Sequence, residues 1–438
     1  MTSDSDITIT KPSWWKRWYP LWIVLGLILL GVGLSVWRVT AFLYNSQPRI
    51  SELCWSPDGK SYATSHEDGS VLITTLDEAG NRAIRTLVPR PKGRWDAPEN
   101  SAYSLEWSPD GKYIAGQGLH KINIWEVATG RESRKGIGQI AFSRMLWAEN
   151  SRDFHIIVHH IGKDRKVIGY SIETYDACSE KEATVVSLKD IVDYRSINRS
   201  SWSRDRKRIA AIRKNTESLV DIVDAVTGEN LNSWTVPFEV QTISWSPDRS
   251  RIAMVKETSI AGELAVIEIY DVQQKGKLLH TMVVTKSLVH KPLVADFSPG
   301  WMDLKWSEDG KQIGFAVCCF RSNILAAEIL GRTCLITLWD ADSGKLSAYS
   351  QSDLKGAAYQ IALFEDTSYV FGLTVSHMNP PVWSPDLKHV GIPVEHGSWL
   401  EQLGPGSGVP GSPYSRYGEY GTVIIEKAPV ATTTTSGL

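Results

Sequence analysis

A tag, Trp-Ser-Pro-Asp, recurs along the chain: W-S-P-D-G at 55–59 and 107–111, W-S-P-D at 245–248 and 383–386, and W-S-E-D-G at 306–310. A looser copy, W-S-R-D, begins at Trp202, and an eroded one, W-A-E-N, begins at Trp147. The seven tryptophans lie 52, 40, 55, 43, 61 and 77 residues apart. Punctuation at this interval marks a small unit built repeatedly, and such a unit buries its faces only by stacking against its neighbours.

The flanks of each tag show what the unit is. Short apolar-alternating runs enter it, such as Ser-Leu-Glu-Trp at 104–107 and Thr-Ile-Ser-Trp at 242–245, and others leave it, such as Arg-Ile-Ala-Met-Val at 251–255. Alternation at period two on both sides of a turn predicts an antiparallel hairpin. The tag supplies the turn: Pro presets φ, Asp accepts from nearby backbone N–H groups, and Gly takes the left-handed position without a Cβ clash. Where Arg249 or Leu387 replaces that Gly, the turn must change type or accept strain. Third runs follow at 121–125, 265–270 and 334–339, and turn signals at 128–130, 226–228 and 342–344 close the units. Apolar segments at 85–88, 183–186 and 279–284 supply fourth strands. The expected fold is all-β: a seven-bladed β-propeller of four-stranded antiparallel blades, preceded by one N-terminal transmembrane helix. The expected domains are a short tail (1–17), an anchor (18–43), the propeller (44–427) and a disordered Thr-rich tail (428–438). Two further apolar runs at 359–364 and 369–375 leave a degenerate eighth blade open, and residues 40–50 are the candidate strand that closes the ring.

The S-P-D-G turns, the D-G pair at 68–69 and third strands ending Trp125-Glu126, Tyr270-Asp271 and Trp339-Asp340 resemble the WD-repeat propeller family over roughly residues 50–427. The Gly-His pair usual near the start of such repeats is not evident, and the tag is also similar to that of TolB-like propellers. The resemblance implies protein binding or scaffolding.

Ahead of the repeats, the stretch from Trp18 to Trp37 carries no charge. At 1.5 Å per residue its twenty residues reach about 30 Å, the thickness of a bilayer's hydrocarbon core. Trp14, Trp15, Trp18, Tyr19 and Trp22 before it, and Trp37, Phe42 and Tyr44 after it, suit interfacial anchoring. The run is longer than a usual signal-peptide core and no small-x-small site follows it closely, so it reads as a retained single-pass anchor. Lys11, Lys16 and Arg17 precede it while Arg38 and Arg49 follow, which predicts a cytoplasmic N-terminus and an extracytoplasmic propeller.

A formal charge of −2 leaves no electrostatic footprint for nucleic acid, and the basic run at 204–208 reads as a solvated hairpin. Cys318 and Cys319 point to opposite faces, so at most one faces the strand bearing Cys334. That one forms either a disulfide or a buried free thiol, while Cys54 and Cys178 read as core. No metalloprotease, hydrolase, P-loop or dinucleotide motif occurs, so no catalytic, cofactor-binding or metal-binding residue is named. His155 and His159 share a strand face but lack a local third ligand, and Asp340-Ala-Asp-Ser-Gly344 lacks the oxygen ligands of a calcium loop.

The remaining functional signal is a Gly/Pro-rich insertion at 396–420, whose Trp399, Tyr414, Arg416, Tyr417 and Tyr420 are residue types enriched in binding hot spots. It is either an interaction loop or an insertion whose aromatics fold back on the propeller. A second, apolar insertion spans 321–332. The expected function is a membrane-tethered protein-interaction or scaffold module, with an unidentified protein partner, the lipid bilayer as the anchor's contact, and no cofactor. The alternatives are an enzyme or small-ligand receptor using the central channel, and a structural envelope component without a discrete ligand.

Overall fold

In a computed structural model, the described residues are 50–66, 69–79, 81–89, 104–118, 121–136, 145–161, 167–177, 183–188, 202–214, 218–256, 260, 262–289, 299–323, 328–354, 359–360, 381–397 and 419–429. They form seven antiparallel sheets in strict sequence order, named here blades I to VII. The expected anchor at 18–43, the N-terminal tail at 1–17 and the tail from residue 430 lie outside the described residues. Among the described residues no helix is long and apolar enough to cross a membrane.

Blade V shows the unit in full. Val240–Trp245 lies innermost, followed outward by Arg251–Lys256, Glu263–Asp271 and Lys277–Thr285. The third strand is buried along nearly its whole length because sheets pack on both of its faces, whereas the fourth alternates toward solvent. Blades I, II, III and VI repeat this order, and the segments expected as fourth strands fall in Arg82–Val88, Thr184–Leu188 and Lys277–Thr285. In blade IV the innermost place is marked by a bridge from Trp202 to Ile209. Blade VII has three described strands, Val382–Trp383, His389–Gly397 and Glu419–Lys427; residues 40–49, expected to close it, lie outside the described residues.

The core is divided among the junctions. Seven apolar clusters occupy the seven interfaces between consecutive blades, including the one where Leu53 and Trp55 of blade I meet Val382 and Ile425 of blade VII. Blade VI meets blade VII directly, with the Trp383 amide donating to Asp303 Oδ2 at 2.9 Å. The Trp55 indole donates to the Val382 carbonyl at 2.9 Å, joining blade VII to blade I. With every junction filled, no place remains in the ring for an eighth blade. Tyr359–Gln360, from the first of the two extra apolar runs, instead pairs with the edge of Glu328–Asp340 in blade VI.

Three of the tag tryptophans hydrogen-bond across these junctions, whereas the Trp107 indole donates to the Gly111 carbonyl of its own turn (3.1 Å) and those of Trp202 and Trp383 are buried without a hydrogen-bond partner among the described residues. The indole of Trp147 donates to the carbonyl of Glu106 (3.3 Å) and that of Trp306 to the carbonyl of Ser244 (3.0 Å). With Trp55 on Val382, each takes the carbonyl just before the preceding blade's tryptophan. A buried indole N–H is thereby satisfied by the neighbour's backbone, which locks register between sheets as well as burying area.

Candidate functional surface

Strand direction sorts the connections between two faces of the ring. The turns joining first to second strands and third to fourth strands lie on one face, the tag face. Turns joining second to third strands, and the crossings between blades, lie on the other.

On the tag face the chain is held by its own side chains. Ser56 Oγ donates to Asp58 Oδ1 (2.6 Å) and accepts from the Ser61 amide (2.9 Å), while Asp58 Oδ1 accepts from the Lys60 amide (3.1 Å). The same three bonds recur at Ser108 and Asp110, and at Ser384 and Asp386. They recur again at Ser203 and Asp205, Ser246 and Asp248, and Ser307 and Asp309. At Asp58, Asp110, Asp205, Asp248 and Asp386 partial burial pushes the carboxyl up. It is outweighed by hydrogen bonds and nearby positive charge, so each sits below its ordinary 3.8. At Asp309 the bond from Ser307 leads the same lowering. The turn keeps its shape where Gly is lost: φ is +69° at Gly59, and also positive at Arg206 (56°), Arg249 (64°) and Leu387 (56°). These turns accept strain rather than change type.

The basic run at 204–208 is not simply a solvated hairpin. Arg204 pairs with Glu308 (3.0 Å) and Arg206 with Glu106 (3.5 Å), each reaching past an intervening blade. Arg249 pairs with Asp205, and Arg251 with Asp342 (2.8 Å) while lying over the Trp306 ring. These contacts commit the Arg204 and Arg206 side chains of the run to carboxylates of neighbouring blades.

The other sequence candidates resolve similarly. His155 stacks on Trp202 with ring centroids 5.4 Å apart and its Nδ1 lies 2.8 Å from Thr174 Oγ1. Burial, reinforced by Arg206, lowers its pKa to about 4. Asp340 Oδ1 accepts from the amide and hydroxyl of Ser343 (2.7 and 2.6 Å), closing a turn. Cys318 and Cys334 are opposite each other in register and form a buried disulfide, with Cα atoms 4.0 Å apart. Cys319, on the other face, is a buried free thiol whose pKa burial pushes up to about 12. Cys54 is buried as expected, and Cys178 lies outside the described residues.

Of the expected interaction loop, Trp399, Tyr414, Arg416 and Tyr417 lie outside the described residues. Tyr420 belongs to the strand Glu419–Lys427 and pairs in register with His396, so the insertion proper narrows to 398–418. It leaves the hairpin on the face opposite the tags, as does the insertion beyond Gln312–Asn323. A groove of about 380 Å³ that sequence reasoning missed opens at the tag-side rim between blades I and II, lined by Ile73, Ile84, Trp107 and Val127. Arg85 closes one side by donating to the Val127 and Ala128 carbonyls.

Comparison with known proteins places this geometry. The family model "WD domain, G-beta repeat" matches residues 38–74, which include the first two strands of blade I and the start of the third. Among curated proteins no match was found. Hydrazine synthase of Kuenenia stuttgartiensis is similar in structure with a TM-score of 0.50 at 11% identity, over 88% of this chain and 97% of that one. The Swd1 β-propeller domain of Myceliophteria thermophila aligns with a TM-score of 0.46 at 14% identity, over 80% of this chain and 94% of that one. At such identity the first likeness concerns the fold alone, and the second is too distant to add to it. The matched repeat and the seven closed blades together support a propeller of the WD-repeat type.

Proposed function

We propose that the protein is a membrane-tethered interaction module in which a rigid ring presents its insertions to a protein partner. The observation that carries this reading is the asymmetry of the faces. The tag face spends its side chains on its own turns and on pairs between blades, whereas the strands that flank the insertions 398–418 and 324–327 open on the opposite face. WD-repeat propellers suggest scaffolding, and a rigid platform with variable loops is the physical basis for it. The apolar run at 18–37 supplies the tether. The Cys318–Cys334 disulfide favours an extracytoplasmic propeller, because such bonds persist in oxidising compartments.

Co-purification from detergent-solubilised membranes, with the full chain and with a variant lacking 398–418, tests the reading. A partner retained by the first and lost by the second, with an unchanged melting temperature, is expected. Equal recovery of every partner by both forms overturns it.

A further inference from the structure

We propose that the tag face is the side of the propeller apposed to the bilayer, with aliphatic side chains at its outer rim dipping into the lipid interface. The proposal rests on the anchor reading above and extends it to an orientation.

Chain direction gives the first argument. Each crossing into a new blade starts from the fourth strand of the blade before, which runs from the tag face to the opposite face. Blade VII has a third strand, Glu419–Lys427, and the chain that must precede Ile50 is the segment expected to lie beside it. The matched WD repeat also begins at residue 38, twelve residues before Ile50. A closing strand there, antiparallel to Glu419–Lys427 as the fourth strands are to the third in the other blades, would deliver Ile50 to the face opposite the tags and would itself begin at the tag-side rim. In sequence that beginning adjoins the uncharged run ending at Trp37, with at most a few residues between them. At about 3.5 Å per residue, a linker so short would hold that rim against the membrane.

The second argument is independent and comes from the surface. Of nine large hydrophobic residues that stand exposed among the described residues, six lie on the tag-side half of a fourth strand or in the turn before it. They include Ile84 of blade I, Val185 of blade III, Val226 and Leu231 of blade IV, and Leu278 of blade V. Scattered exposed aliphatics are ordinary on soluble surfaces, but these recur at one level of one rim around several blades. The groove between blades I and II opens at the same level, with Ile84 in its wall. A flat lipid surface touches such a rim at every blade simultaneously, which no single compact protein partner of ordinary interface size does. With the tag face toward lipid, Gly397 and Glu419, between which the insertion lies, stand on the side away from the membrane.

The test uses the full chain in phosphatidylcholine vesicles with Cys178→Ser as background; Cys54 and Cys319 are buried and Cys318 and Cys334 are bonded to each other. A nitrobenzoxadiazole probe is placed by Ile84→Cys, Leu231→Cys or Leu278→Cys at the rim, and by Ile168→Cys or Ile260→Cys at exposed positions outside it. Quenching by spin-labelled lipid is then read. Emission from the three rim sites falls about twofold or more, as for side chains seated in the headgroup region, while Ile168→Cys and Ile260→Cys are unaffected. Quenching of the second set alone, or of neither set in protein that floats with the vesicles, overturns the orientation and leaves the anchor standing. Protein that does not float with the vesicles overturns both.

Discussion

The guanidinium of Arg206 in blade IV reaches past blade III to the carboxylate of Glu106 in blade II, with Nη2 3.5 Å from Oε1. The other oxygen of Glu106 accepts from the Trp147 amide of blade III at 3.0 Å, so one carboxylate ties together three blades. Glu106 is almost wholly buried, which makes loss of either partner expensive. Glu106→Ala is expected to lower the unfolding free energy by about 3 kcal/mol, and Glu106→Gln, which keeps an acceptor for Trp147, by about 1 kcal/mol. Urea unfolding of the two variants checks the order; equal losses would show that the acceptor for Trp147 contributes nothing and the charge everything.

Two glycines with nearly the same φ separate backbone strain from collision. Gly111 (+73°) has open space where a Cβ would stand, whereas at Gly276 (+71°) a Cβ would fall on the Trp234 ring. Gly111→Ala should cost about 1 kcal/mol, the left-handed penalty alone. Gly276→Ala should cost about 3 kcal/mol, since a packed ring must also move. Thermal melts of the pair measure the difference, and equal shifts would mean that Trp234 yields freely.

The disulfide closes a short loop across a hairpin, with its cysteines separated by 16 positions in sequence. Replacing both by alanine (Cys318→Ala with Cys334→Ala) should lower stability by about 3 kcal/mol through the freer unfolded chain. Wild-type protein unfolded under reducing conditions should show the same loss. Mass analysis of alkylated, unreduced protein should leave Cys318 and Cys334 unmodified; their alkylation under those conditions would contradict the bond.

Acid should weaken the fold in two stages. His155 has its pKa lowered from 6.5 to about 4, first by burial and then by Arg206, with Asp153 opposing. Its contribution is therefore present above about 6.5 and lost as pH falls toward 4, because only the unfolded chain binds the proton in that window. The tag aspartates, held below 3.8, contribute above that value and lose their contribution as pH falls through their lowered folded values. Melting temperature followed from pH 8 to 3 should decline through both windows. His155→Gln should flatten the upper decline and spare the lower; an unchanged upper decline would remove His155 as its cause.

What was legible in the sequence is what local chemistry dictates. Pro, Asp and Gly at fixed offsets announced the turns, and period-two runs announced the strands beside them. The serine of the tag was overlooked although the signal was present: Ser56, Ser108, Ser203, Ser246, Ser307 and Ser384 each precede an aspartate by two residues. The eroded copy has Ala148 instead, and there Asn150 accepts from the Arg152 and Asp153 amides at 2.9 Å to hold the turn. Parity restricted Cys334 to one of two adjacent cysteines, but only the strand register selects Cys318. The reach of Arg206 to Glu106 could not be read from sequence, because it depends on how the ring brings blades II and IV together.

Trp55 and Val382 are separated by 327 positions yet share a hydrogen bond at the seam between blades I and VII. During synthesis the first blade therefore waits, its indole N–H without this acceptor, until nearly the whole chain has emerged. The seam is the contact of longest sequence separation in the ring, so its formation carries a large loop-closure entropy. A nascent chain can stack blades I to VI in order while one flank of blade I remains open, and the ring becomes a closed object only with the last strands made.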